Sequence, residues 1–168
     1  MPVENVPASS QSDGRWRVVN VPSGSNAKSA AILNGGTATA ITYGLTSDGY
    51  NHTVSQATAE DKRLTLLQDL SRPGKITETL ELTAVASSDA TSADQVLLTL
   101  SLSGAETQFT TRRAVQNDAT FATGQKADVI TGIVGVRRAN APTENGVDTA
   151  SYTVYITKPT ERQATLVA

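Results

Sequence analysis

Basic and hydroxyl side chains alternate with apolar ones in residues 62–85, which read KRLTLLQDLSRPGKITETLELTAV. A period of two is typical of a strand with one buried face. We interpret Pro73–Gly74 as a type II turn, because proline fixes φ at the first central position and glycine accepts a positive φ at the second. The polar face of this predicted hairpin carries Arg63, Thr65, Lys75, Thr77 and Thr79. Such a face can donate hydrogen bonds to phosphate oxygens, although a merely solvated sheet face would have the same pattern.

The remaining titratable residues do not form a catalytic or metal-binding pattern. His52 is the only histidine, and nothing near it in the sequence supplies a nucleophile or an orienting carboxylate, so we interpret it as a loop or strand-end residue. Glu78 and Glu81 fall on opposite faces of a strand, which is the wrong arrangement for paired catalytic carboxylates. The chain has no cysteine, and its glycines lack the P-loop spacing. We therefore predict a protein that is not an enzyme and holds neither metal nor cofactor.

The composition indicates a small globular protein that completes its core with partner subunits. Its 168 residues suit one domain. Aromatic residues make up only 4% of the chain, so a monomer has few large side chains to bury, and association would remove further apolar surface from water. The net charge of -2 gives no overall attraction to nucleic acid, so an anionic partner would need a local basic patch. Neither a signal peptide nor a membrane span is apparent, which predicts that the chain stays in the compartment of synthesis.

The alternation predicts strands before residue 103 and helices after it. A third strand of the sheet reads DQVLLTLSLS, residues 94–103, with Thr99 and Ser101 on its polar side. Ser103 and Glu106 have the spacing of a capping box, in which each side chain satisfies a backbone amide of the first turn. They open a predicted helix over residues 104–118. A second helix is predicted over residues 124–138, where a strand is the alternative.

The predicted fold class is α+β. It is an antiparallel β meander with an N-terminal hairpin, turning at Asn34–Gly36, and two C-terminal helices packed on one sheet face. The Arg112/Arg113 and Arg137/Arg138 pairs suit the C-terminal ends of those helices, where cations are favourable. The predicted division is an N-terminal arm (1–14), a main domain (15–138) and a C-terminal extension (139–168) with an extra strand at 151–157 and a flexible end at 160–168.

This order of elements resembles the coat proteins of small single-stranded-RNA bacteriophages. The resemblance covers residues 15–138. It rests on KRLTLLQDLSRPGKITETLELTAV, which is similar to the family's unit of strand, turn and strand, and on ADQVLLTLSLSGAETQFTTRRAV, which is similar to its last strand running into a first helix. In that family the helices of two subunits interlock across a shared sheet.

The resemblance implies a viral structural protein of the virion that dimerises and self-assembles into an icosahedral capsid in the host cytoplasm. The helix-free face of its sheet would bind the single-stranded RNA genome, and no membrane is involved. The implied RNA-binding residues are Arg63, Thr65, Lys75, Thr77, Thr79, Thr99 and Ser101. Glu81 falls on the same face and departs from this expectation, because a carboxylate repels phosphate.

Two other classes of protein fit the residues. A β-rich phage structural protein of the tail or decoration type, or a surface β-sandwich adhesion module, would have more strands and no helix after residue 103. A small hydrolase on a β scaffold would require His52 to take part in catalysis.

Overall fold

The computed structural model describes residues 12–62, 64, 68 and 70–168, which cluster into two compact units. The first unit comprises residues 12–44, Ala105–Gly132 and Thr157–Ala168, and the second lies within Leu45–Gly104 and Ile133–Ile156. The strands are β1 (Arg17–Pro22), β2 (Thr39–Ala40), β3 (Leu45–Asp61), β4 (Leu70–Val85), β5 (Glu106–Arg112), β6 (Lys126–Val134), β7 (Arg138–Ala139), β8 (Thr149–Ile156) and β9 (Glu161–Thr165). The α-helices are α1 (Ala30–Asn34) and α2 (Ala93–Ser103), and residues Thr42–Gly44 form one 3-10 turn.

In the first unit a sheet packs on small and branched apolar side chains. β1 pairs antiparallel with both β2 and β5, β6 lies beside β5, and β6 pairs antiparallel with β9. β6 is buried along almost its whole length, which accounts for the absence of an apolar and polar alternation in it. The larger members of the core are Val19, Val21, Leu33, Phe121, Val129 and Leu166.

In the second unit β3 and β4 form a long antiparallel hairpin, and β8 pairs with the last six residues of β4. β7 pairs with the other edge of β8. Helix α2 packs against β4. The core between helix and sheet consists of fully buried side chains, namely Leu80, Leu82, Ala84, Leu97, Ala150, Tyr152 and Val154. The predicted apolar face of residues 80–84 and the predicted strand at 151–157 are thus confirmed.

Residues 94–103, which the alternation predicted as a strand, lie in helix α2. Ser92 caps the helix by accepting a hydrogen bond from the Gln95 backbone N–H at 3.3 Å. Gly104 ends the helix in the left-handed conformation, with φ of 62°. The leucines do alternate, but the buried residues Ala93, Asp94 and Leu97 follow the spacing of a helix face.

The predicted α+β fold class with two C-terminal helices is wrong, because the chain is mostly β. The two predicted helices, 104–118 and 124–138, contain strands β5 and β6. In β5 the β-branched threonines favour an extended backbone, and burial on both faces leaves no polar stripe of the kind that a surface helix has. The Ser103 and Glu106 pair lies at the junction of α2 and β5 and caps no helix. Without C-terminal helices, the predicted interlocked dimer lacks the elements that would interlock.

Pro73–Gly74 does not form the turn of the hairpin. β4 runs through both residues, and the connection to β3 lies within residues 62–69. Pro73 lies opposite Thr58, next to a register shift between Gln56 and Thr58, and such bulges tolerate proline in a strand. A β-carbon on Gly74 would approach the Ala57 carbonyl oxygen to 2.8 Å, so this position requires glycine for close strand contact.

The predicted hairpin turn near the N-terminus and the predicted flexible C-terminal end also differ from the structure. Asn34–Gly36 ends helix α1 instead of turning a hairpin. The predicted N-terminal arm lies almost wholly outside the described residues. The end of the C-terminal extension, predicted to be flexible, forms β9 and places Leu166 fully inside the first unit.

Candidate assembly surface

The outer part of the β3–β4 hairpin extends past the rest of its sheet. We define the outer hairpin as residues 53–61 of β3 and 70–79 of β4, which pair with each other from Thr53↔Thr79 to Asp61↔Leu70. β8 pairs with residues 80–85 of β4, so within the described chain the outer hairpin has no third strand. Nearly all of its residues are exposed. At about 3.4 Å per residue, it extends roughly 30 Å.

The outer hairpin exposes several large apolar side chains. Val54, Leu70 and Ile76 each remain 46% exposed. Directly opposed residues of an antiparallel pair share a face, and Val54 opposes Glu78 while Ile76 opposes Gln56. Val54 and Ile76 therefore continue the face on which Leu80 and Leu82 are buried. The cover over this face thus ends part of the way along it, and Val54 and Ile76 lie beyond that point.

A hydrogen-bonded pair of side chains lies at the point where that cover ends. His52 Nε2 and Glu78 Oε2 are 3.1 Å apart, and their side chains are 13% and 12% exposed. The two residues are diagonal neighbours, because His52 opposes Leu80 and Glu78 opposes Val54. Sequence reasoning found no carboxylate near His52, because cross-strand register cannot be read from one strand. The pair links the strands at the base of the outer hairpin.

The opposite face of the second unit is rich in hydroxyl groups. Lys75, Thr77 and Thr79 lie on it as exposed alternate residues of β4, so the structure brings three predicted site residues together. Across the hairpin they meet Thr53 and Ser55 of β3. Since α2 packs on the other side of the sheet, we call this surface the helix-free face. It continues through Glu81 and Thr83 of β4 and Ser151 and Thr153 of β8.

The other predicted site residues do not join this surface. Arg63 and Thr65 lie outside the described residues. Thr99 and Ser101 lie on α2, not on a strand, and the Thr99 hydroxyl donates to the Gln95 carbonyl oxygen at 2.9 Å. Thr99 and Ser101 therefore do not lie on the sheet face on which all seven residues were predicted. Whether Lys75, Thr77 and Thr79 contact nucleic acid stays a prediction.

A network of side chains pairs the carboxylate of Glu81 on the helix-free face. Arg138 donates to Glu81 Oε1 at 2.6 Å and to the Thr153 hydroxyl at 3.0 Å. Asn140 donates to the hydroxyls of Thr149 and Ser151, both at 3.0 Å. Glu81 is therefore paired. Its partner Arg138, predicted at a helix end, lies on β7 and reaches Glu81 across β8.

A buried carboxylate fixes α2 to the other face of the sheet. Asp94 is 1% exposed and receives two hydrogen bonds from Arg137, one to each carboxylate oxygen, both 3.0 Å long. The Tyr152 hydroxyl donates to Asp94 Oδ1 at 2.5 Å, and the Ser87 backbone N–H donates to Oδ2 at 3.3 Å. Burial opposes ionisation of Asp94, but the bonds from Arg137, Tyr152 and Ser87 outweigh it, so its pKa is lowered. Burial and the hydrogen bond to Asp94 raise the pKa of Tyr152.

In the first unit a buried arginine organises the loop between β5 and β6. Arg112 is 0% exposed, and its guanidinium lies 4.7 Å from the centre of the Phe121 ring, which also contacts Arg17 at 5.1 Å. Its hydrogen-bond acceptors are the carbonyl oxygens of Gln116, Ala119 and Thr120 and the side-chain oxygen of Gln125. Burial, with the nearby charge of Arg17, lowers the pKa of Arg112. The carbonyl oxygens of the loop replace water around this cation, and the hydrogen bonds from Arg112 in turn hold the loop in its conformation.

The described residues contain no cluster of three or more histidine and acidic side chains that could hold a metal ion. In the same part of the chain, no helix is long and apolar enough to cross a membrane.

Comparison with known proteins agrees with a role in assembly. Residues 3–168 match the family model described as phage tail tube protein. A chain of the anti-feeding prophage baseplate has a similar fold, with a TM-score of 0.60 at 10% sequence identity over 94% of this chain and 96% of that one. A chain of the SPP1 tail tube has a TM-score of 0.55 at 12% identity over 92% of this chain and 76% of that one. No curated protein matches.

These matches overturn the resemblance to RNA-phage coat proteins. The family model covers nearly the whole chain, and the similar structures come from a baseplate and a tail tube. The coat-protein interpretation rested on a strand at 94–103 followed by helices, and the structure has the reverse order there. The alternative of a β-rich phage tail protein is the better interpretation.

Proposed function

The chain belongs to the family of phage tail tube proteins, and we propose that copies of it join through the outer hairpin to form the wall of a tube. As a tail tube protein it is a structural component of the phage virion. In this arrangement the outer hairpin makes the contacts between subunits, and one face of its sheet lines the inside of the tube.

The exposure of both faces of the outer hairpin carries the proposal. A two-stranded hairpin alone is marginally stable in water, so a long one needs further packing. Exposed strand edges pair readily with other chains, and β3 is such an edge in the described chain. Full burial of a large aliphatic side chain contributes ~1.5–3 kcal/mol. Covering the exposed half of Val54, Leu70 and Ile76 would therefore contribute roughly 3 kcal/mol per hairpin, repeated at each subunit of a tube.

We assign the helix-free face to the bore of the tube. This face presents hydroxyl groups, and its carboxylate Glu81 is paired with Arg138. Phosphate contacts with fixed cations hold nucleic acid in place, so a lining in which hydroxyls outnumber cations such as Lys75 would let a polyanion pass without strong attachment. Helix α2 then lies on the outer side of the sheet. A helical reconstruction of the assembled tube tests this orientation: Thr79 and Thr83 should border the bore, and a bore lined by α2 would overturn the assignment.

The assembly surface is tested by a pair of substitutions that keep side-chain shape. Val54→Thr with Ile76→Thr removes apolar surface from the outer hairpin while retaining β-branched side chains that favour strands. We expect the purified double variant to remain a small soluble species in size-exclusion chromatography and electron microscopy, under conditions where the unmodified chain forms tubes. Both positions are exposed, so the unfolding midpoint should hardly change.

Leu102→Gln is the matched control. Leu102 is 80% exposed but lies on α2, away from the strands of the outer hairpin. Glutamine is a good helix former, so this change removes exposed apolar surface elsewhere at little cost to the helix. Normal tubes from the hairpin double variant, or equal loss of tubes in the control, would refute the hairpin as the assembly surface.

A further inference from the structure

The sequence contains two Asn-Gly dipeptides, Asn34–Gly35 and Asn145–Gly146. The two asparagine side chains differ in hydrogen bonding. Glycine after asparagine leaves the following backbone nitrogen sterically open, because it has no β-carbon. That nitrogen can attack the asparagine side-chain amide, which makes asparagine a thermolabile residue. Local structure then decides which of the two sites can react.

Asn145 has the freedom that this reaction needs. It lies in a loop, residues 140–148, in which every residue is exposed. Its φ is 58°, in the left-handed region that asparagine tolerates, and within the described residues its side chain makes no hydrogen bond. The Gly146 N–H donates to the Thr143 carbonyl oxygen at 3.0 Å. A single bond in an exposed turn opens at little free-energy cost, so it blocks the nitrogen only part of the time.

Asn34 is held in place instead. Its side-chain nitrogen donates to the Phe121 carbonyl oxygen at 2.8 Å, and its side-chain oxygen accepts from the Phe121 N–H at 2.9 Å. Phe121 itself is 3% exposed and belongs to the core of the first unit. Rotating the Asn34 amide towards Gly35 would break both bonds and leave two backbone groups beside the core without partners. The same dipeptide is therefore protected at one site and free at the other.

We propose that Asn145 is a site of spontaneous deamidation in the folded protein, with water as the only co-reactant. The Gly146 backbone nitrogen attacks Cγ of Asn145 and forms a new N–Cγ bond. The Cγ–Nδ2 bond breaks, the proton of the attacking nitrogen ends on the departing group, and ammonia leaves. Water then opens the cyclic imide at either carbonyl carbon, which gives aspartate or isoaspartate. No electrons are gained or lost overall.

Modification changes the charge and the backbone of this loop. Either product adds a negative charge to a segment that already carries the carboxylates Glu144 and Asp148. Isoaspartate also routes the main chain through the side chain, which lengthens the backbone by one methylene. The turn that joins Thr143 to Gly146 is then lost. This turn is tightly packed, because a β-carbon on Gly146 would collide with the Thr143 hydroxyl. Deamidation therefore changes the charge and the backbone of the connection between β7 and β8 slowly and irreversibly.

Peptide mapping by mass spectrometry tests the proposal on the full chain, incubated folded in mildly alkaline buffer made with isotopically heavy water. Asn145 should incorporate the heavy oxygen at least tenfold faster than Asn34, roughly the factor expected for breaking two protecting hydrogen bonds. In denaturant the two sites should react at similar rates, because both are followed by glycine. An Asn145→Gln variant should lose the fast site.

Two results would overturn the proposal. One is an Asn145 that stays intact in the folded chain while it reacts in denaturant, which would mean that the loop protects it. The other is equal labelling of Asn34 and Asn145 in the folded chain, which would mean that the Phe121 contacts protect nothing.

Discussion

Replacing Asp94 by asparagine should destabilise the second unit by removing the charge that holds α2 on its sheet. Asp94→Asn keeps the shape of the side chain but puts an N–H2 group where one carboxylate oxygen accepted hydrogen bonds. Whichever way the amide turns, it meets donors: Arg137 and Tyr152 approach one oxygen, and Arg137 and Ser87 approach the other. The variant therefore loses both the ion pair and at least one buried hydrogen bond.

The expected loss is about 3 kcal/mol. Breaking a buried ion pair costs ~3–5 kcal/mol, and the lower end applies because the Arg137 side chain is 31% exposed and recovers part of its hydration. For a chain of this length that corresponds to a fall in Tm of roughly 6–12 °C. Urea unfolding followed by circular dichroism measures the free energy directly. Asp89→Asn is the matched control, because Asp89 is an exposed aspartate that accepts bonds from Thr91 in its own loop.

The dependence on pH separates the role of the charge from that of shape. The pKa of Asp94 is lowered from its ordinary value of 3.8, so its ionised form stabilises the folded state. This stability is fully present above pH 3.8 and is lost as the pH falls through the lower folded pKa. The difference between the unmodified chain and Asp94→Asn should therefore shrink as the pH falls below 3.8. A difference that stays constant over that range, or one no larger than that of Asp89→Asn, would refute the reasoning.

Three further changes test the contacts described above. Arg112→Lys should lower the free energy of unfolding by ~3 kcal/mol in urea titrations, since an ammonium cannot reach the loop carbonyls that the planar guanidinium reaches, and an unchanged midpoint would contradict this. The pKa of Tyr152 is raised, so the chain should lose stability as the pH rises above 10, and Tyr152→Phe should lose less over that range; parallel curves would rule this out. Gly135→Ala should cost ~1–3 kcal/mol because a β-carbon would lie 2.8 Å from the Thr153 backbone carbonyl oxygen, whereas Gly36→Ala, which meets no atom within 4 Å, should be nearly neutral; equal midpoints would refute the close contact.

The sequence predicted the strands whose two faces differ. Residues 80–84 and 151–157 alternate between apolar and hydroxyl side chains, and the structure buries the apolar set between sheet and helix. The helix-free face with Lys75, Thr77 and Thr79 follows from the same alternation. Such strands are readable because one buried face imposes a period of two on the sequence.

The order of elements after residue 92 was not predicted correctly, for a physical reason. Alternating leucines and hydroxyl residues at 96–103 satisfy a strand pattern, and the deciding signals were the caps, Ser92 with Gln95 at the start and Gly104 at the end. The Ser103 and Glu106 spacing gave a competing signal that the structure does not use. β6 is buried on both faces, so its sequence has no period that would distinguish a strand from a helix.

The contacts of the candidate surface depend on register, which one sequence does not reveal. His52 meets Glu78, and Arg138 meets Glu81, only because the strands pair as they do. Arg112 gave no sign of burial, since its partners are backbone oxygens of a loop. The exposed outer hairpin also depends on where β8 ends, and that is a property of the whole sheet.

Cross-linking from the outer hairpin is the most direct test of the proposed assembly. The chain has no cysteine, so a single Ile76→Cys variant can carry one photoreactive label at the exposed apolar position. After assembly and illumination we expect covalent dimers and higher oligomers, with the attached peptide coming from a second copy of the chain. The same label at Leu102→Cys, on α2, should give far fewer. Tubes that form normally while the label at residue 76 attaches only within its own chain would contradict the account.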